Sequence, residues 1–93
     1  MMKIVFLIIA LGLLYLSNAE GQECPLMGVD ILFHDIDSKA DVEDWEACGK
    51  FCQSTDGCKF WTYNTKTLLC FVKDQNTYSE HNDIAISGDS NCP

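Results

Sequence analysis

Cys48-Gly49-Lys50-Phe51-Cys52-Gln53-Ser54-Thr55-Asp56-Gly57-Cys58-Lys59-Phe60-Trp61-Thr62-Tyr63 reads as a helix end, a turn and a strand, joined by three cysteines. Cys48 and Cys52 stand four residues apart, which puts both sulfurs on one face of a helix. Ser54-Thr55-Asp56-Gly57 has the composition of a turn. Phe60-Trp61-Thr62-Tyr63 is a run of strand formers. Working backwards, the spacing predicts a helix over Asp41–Gln53. Asp41 is placed to cap it, with Glu43 and Asp44 in the first turn facing the positive end of the dipole. Val42, Trp45, Cys48 and Cys52 recur at three- and four-residue steps and share its apolar face, flanked by Phe51.

Further out, the pattern is short strands and turns. Lys59–Asn64 reads as a strand, Thr65-Lys66-Thr67 as a hairpin turn and Leu68–Lys73 as the returning strand. Upstream, Val29–Ile36 is rich in β-branched and apolar residues, and Asp35–Lys39 reads as a polar turn. Downstream, Asp74–Asp83 is a polar loop, Ile84-Ala85-Ile86 a short strand, and Ser87-Gly88 a turn towards Cys92. The expected architecture is α+β: a small disulfide-rich domain with one α-helix packed on an antiparallel β-sheet.

The N-terminus reads as a leader. Met1-Met2-Lys3 is followed by an apolar or small run, Ile4–Leu16, and by Ser17-Asn18-Ala19 with small residues at the −3 and −1 positions. That is the pattern of a signal peptide over residues 1–19. Its thirteen-residue apolar run is too short for a spanning helix, which needs about 17–25 residues. The expected product is a single domain over residues 20–93, secreted and extracellular. There are six cysteines, Cys24, Cys48, Cys52, Cys58, Cys70 and Cys92. An even count in a short exported chain reads as a disulfide framework, and a chain of this size needs one for stability. Six cysteines leave fifteen pairings open.

The formal charge is −8, and loss of Lys3 with the leader makes it −9. The chain has no arginine. Such a field repels phosphate backbones and anionic lipid, so no nucleic acid partner and no membrane insertion are expected. There is no internal repeat and no N-x-S/T sequon.

Chemistry is sparse. Ser79, His81 and Asp83 lie close in sequence, but alternate residues of one segment do not make a triad, and no nucleophile elbow or phosphate loop is present. No catalytic residues are assigned. Cys48, Cys52, Cys58 and His34 could be imagined around zinc, but the second closely spaced cysteine pair of a structural site is missing. Asp35-x-Asp37-x-Lys39-x-Asp41-x-Glu43 resembles the start of a calcium loop, yet Lys39 stands where an oxygen is needed and Ala40 where the turn glycine belongs. No metal and no cofactor are expected.

Taken together, these segments resemble the apple/PAN domain family. The resemblance rests on Cys48-x3-Cys52-x5-Cys58 with its Gly57-Cys58 turn, the aromatic strand Cys58–Tyr63, Cys70-Phe71-Val72-Lys73, the closing Ala85-Ile86-Ser87-Gly88 with Cys92, and the opening Gly28-Val29-Asp30-Ile31. It implies the pairing Cys24–Cys92, Cys48–Cys70 and Cys52–Cys58. If Cys70 faces the helix to meet Cys48, strand alternation sends Leu68 and Val72 the same way. The expected core is then Val42, Trp45, Trp61, Tyr63, Leu68 and Val72. Phe60, Leu69 and Phe71 fall on the far side of the sheet, either as a candidate binding patch or beneath a flanking loop, since the other strands must also pack somewhere. The resemblance implies a non-catalytic recognition module for an extracellular protein or carbohydrate. Alternatives of other classes are an inhibitor or toxin-like effector of an extracellular enzyme or channel, a structural matrix component, or a fragment of a larger multi-domain protein.

Overall fold

Helix α1 is shorter than its periodicity suggests. In the computed structural model, which describes residues 24–92, α1 spans Trp45–Gln53. The expected signal peptide, residues 1–19, lies outside the described residues. Asp44 is the cap: its backbone is extended and its carboxylate accepts the Ala47 N–H at 2.8 Å. Asp41 was the expected cap, but it sits at φ 59°, a left-handed conformation that serves a turn and not a helix start. Val42 therefore precedes the helix, yet it is still buried, and its N–H donates to Leu68 O at 3.0 Å. Asp44→Ala should cost about 1 kcal/mol, the usual value of an N-cap, measured by urea denaturation.

Five strands form one antiparallel sheet in the order β1-β5-β3-β4-β2. They are β1 Leu26–Ile31, β2 Asp35–Lys39, β3 Phe60–Asn64, β4 Cys70–Lys73 and β5 Ser79–Asp89. One helix on an antiparallel sheet is the expected α+β class, but three boundaries move. The run Val29–Ile36 is broken by left-handed Phe33 and His34 (φ 67° and 65°), which end β1. The polar segment Asp35–Lys39 is an edge strand, exposed throughout. Charged side chains are usual on an edge because they discourage pairing with other chains. The second half of the polar loop, Ser79–Asp83, is the outer half of β5, where it pairs with Val29–Ile31.

The helix covers one face of the sheet. Trp61, on the central strand, is fully buried there, and Trp45 stacks on it at 5.9 Å between ring centroids and 7° between planes. Trp45 itself is half-buried against the cluster formed by Val42, Tyr63, Val72, Ile86 and the buried cysteines. The sheet can approach Trp61 this closely because residue 88 lacks a side chain: a Cβ on Gly88 would lie 2.7 Å from Trp61 Cζ2. Gly88→Ala should therefore destabilise by about 1–3 kcal/mol through overpacking, visible as a lowered thermal midpoint.

Leu68 does not join this core. It sits at φ 62° in the turn before β4 and is 39% exposed. Strand alternation fails for it because β4 begins only at Cys70. Three disulfides cross the structure: Cys24–Cys92, Cys48–Cys70 and Cys52–Cys58. The second ties α1 to β4, and the third ties the helix's last turn to the residues before β3.

Tyr63 supplies the main buried polar anchor on this side. Its hydroxyl donates to Val42 O at 2.5 Å. Burial first, then the carboxylates of Asp44 and Glu43, pushes its pKa above the ordinary value. The folded state thus holds this proton more tightly than the unfolded chain. The associated stability is fully present below about pH 10, the unfolded value, and is lost as pH rises towards the higher folded one. Tyr63→Phe should flatten that alkaline decline in a denaturation series across pH.

Candidate functional site

The face of the sheet opposite the helix carries the predicted patch. The register sets Phe60 opposite Lys73 and Thr62 opposite Phe71. Phe60, Leu69 and Phe71 are all half-buried. Part of this face is roofed by β1. The Ile31 N–H donates to Thr62 Oγ1 at 3.1 Å, Thr62 Oγ1 and Ser87 Oγ share a hydrogen bond of 2.8 Å, and Ser87 Oγ donates to Val29 O at 2.6 Å. These polar groups can be buried because each finds a partner.

Lys73 is the second buried polar anchor. It is only 3% exposed. Its Nζ pairs with the Asp35 carboxylate, donates to Phe33 O at 3.3 Å, and lies 6.0 Å from the centre of the Phe71 ring. Lys73 therefore fixes the turn between β1 and β2 from beneath.

That turn holds the feature sequence reading missed. Phe33 is 66% exposed and Tyr78 is 55% exposed, and their rings stack at 6.5 Å between centroids. Phe33 and His34 both occupy the left-handed region, at a cost on the order of 1–3 kcal/mol each. Four contacts hold them there. Besides Lys73, the Leu32 N–H donates to Tyr78 O at 2.9 Å, the Asp74 N–H to His34 O at 3.3 Å, and the His34 ring bonds Thr77 Oγ1 at 3.0 Å. Phe33 read as one apolar residue in a strand, so its exposure was hidden. Tyr78 did carry a signal: it is the lone aromatic residue in the polar stretch Asp74–Asp83. A large aromatic side chain on a surface loop suits recognition more than packing.

The remaining candidates do not assemble. All six cysteines are in disulfides, and His34 is engaged with Thr77, so the imagined zinc set is dispersed. Among the described residues no group of three or more His, Cys, Asp or Glu could hold a metal ion. The calcium-like segment is largely the extended strand β2, and its Asp35 is taken by Lys73. His81 Nε2 meets Asp83 Oδ1 at 2.6 Å, with both side chains largely in solvent. No hydrogen bond links Ser79 to His81 among the described residues.

The PAN domain family model matches residues 20–92, the whole cross-linked unit. The chain belongs to the PAN domain family. No curated protein matches it. PAN domains are generally non-catalytic modules that bind proteins or carbohydrates, and with multiple disulfides they are typical of extracellular proteins. In this PAN domain the helix side is closed core, whereas the turn between β1 and β2 presents aromatic surface. No helix among the described residues is long and apolar enough to cross a membrane.

Proposed function

We propose that this PAN domain is a secreted, non-catalytic recognition module that binds an extracellular protein or carbohydrate. The observation that carries the reading is the Phe33–Tyr78 pair, exposed on a backbone held by Lys73 and by the bonds from Leu32 to Tyr78 and from Asp74 to His34. Exposed aromatic residues on a rigid frame lose little conformational freedom on binding. Phe60, Leu69 and Phe71 form a second contact area on the sheet's far face. The signal-peptide pattern over residues 1–19 supports secretion, with cleavage after Ala19. The acidic charge disfavours nucleic acid and anionic lipid as partners.

A glycan array and a pull-down from extracellular fluid, both with the oxidised 20–93 domain, test this. The expected result is a ligand retained by the native domain and released by Phe33→Ala or Tyr78→Ala. Turnover of a bound substrate, or the absence of any ligand in both assays, would contradict it.

A further inference from the structure

We infer that Phe33, Tyr78, Asp30 and Glu80 form one docking surface for a basic segment of a partner protein, built to take a lysine or arginine side chain. The inference rests on the recognition reading above and names the chemistry of the partner.

The placement comes from the β1–β5 ribbon. Asp30 pairs with Glu80 and Ile31 with Ser79, and one further bond joins Leu32 to Tyr78. Because the Leu32–Tyr78 bond continues the ladder one pair beyond Ser79, Tyr78, just before β5, falls on the same side as Glu80, opposite the side on which Ile31 is buried. Asn82 confirms the side, since its Nδ2 donates to Asp30 Oδ2 at 3.3 Å. The stacked Phe33–Tyr78 rings thus adjoin two carboxylates that face each other across neighbouring strands.

Like charges in directly opposed strand positions repel. Glu80 has no salt-bridge partner among the described residues. Among the described residues no lysine forms a salt bridge with Asp30 or Glu80: Lys73 is buried against Asp35, and Lys39 lies over Phe51. A cation from outside relieves this repulsion, and the adjoining aromatic faces attract the same cation through their quadrupoles. A neutral sugar would use the rings but leave the carboxylate pair unneutralised. The net charge of −9 after leader removal, with no arginine in the chain, adds a field that steers basic partners inward.

The test uses the oxidised 20–93 domain with three probes of equal length: a Gly-Arg hexapeptide, a Gly-Lys hexapeptide and a Gly-Gln hexapeptide. Calorimetry gives affinity, and amide NMR shifts give location. The two basic peptides should bind, with shifts centred on residues 30–34 and 78–82, and the glutamine peptide should not. Phe33→Ala and Tyr78→Ala should each weaken binding about three- to tenfold, while Phe33→Tyr retains it. Glu80→Gln should weaken binding more than Glu46→Gln, which removes the same charge from the exposed side of α1. Equal losses from these two variants would reduce the effect to net charge and overturn the inference. So would unchanged affinity in Phe33→Ala, or a neutral oligosaccharide shifting residues 30–34 and 78–82 without competition from the basic peptides. That last outcome would leave the recognition reading standing, whereas failure of every ligand in the array and pull-down would remove both.

Discussion

Reduction of the three disulfides is expected to unfold the domain at room temperature. The bridges close sequence separations of 68, 22 and 6 residues. In the chain-entropy view each contributes about 2–4 kcal/mol, most for the longest loop. The loops are nested and do not add independently. Even a discounted sum is comparable with the ~5–15 kcal/mol net stability of a small domain. The non-covalent core is small: beyond its cysteines it consists mainly of Trp61, Tyr63, Val72, Val42 and Ile86. Far-UV circular dichroism and tryptophan fluorescence should both collapse on adding a thiol reductant. The double change Cys48→Ala with Cys70→Ala should cost about 3 kcal/mol, because it also frees α1 from β4. A reduced protein that kept its native spectrum would show that packing alone suffices.

Trp61→Ala is the side-chain change with the largest expected effect, a loss of about 3–5 kcal/mol. Trp61 is wholly buried on the central strand, and four features converge on it. Its Nε1 donates to Asp89 O at 3.0 Å, Trp45 stacks on its ring, and residues 49 and 88 are glycines whose Cβ positions fall within about 3.5 Å of it. Truncation therefore leaves a cavity bounded by backbone, which cannot collapse readily. Trp45→Ala should cost clearly less, since Trp45 is only half-buried. Equal losses at the two positions, read by urea denaturation, would contradict this view of the core.

The helix face of the fold was legible in the sequence because two periodicities meet there. Cys48 and Cys52 at four-residue spacing, and Trp61, Tyr63 and Val72 at alternate strand positions, are all buried. Leu68 was misread because a left-handed turn residue looks like a strand residue when only hydrophobicity is weighed. Edge strand β2 and the outer half of β5 were unreadable for a related reason. Their residues face solvent, so backbone pairing leaves no apolar alternation behind. The Phe33–Tyr78 surface depends on two loops meeting about 45 residues apart in the chain. Local pattern cannot supply such a contact. It follows from the pairing of β1 with β5, and from Lys73 reaching Phe33 O beneath the turn.

The most direct measurement compares ligand capture from extracellular fluid by the native 20–93 domain and by a Phe33→Ala, Tyr78→Ala double variant with an unchanged circular dichroism spectrum. A retained species that is lost from the double variant is the predicted result. The same species held equally by both proteins would contradict the assignment of recognition to this surface.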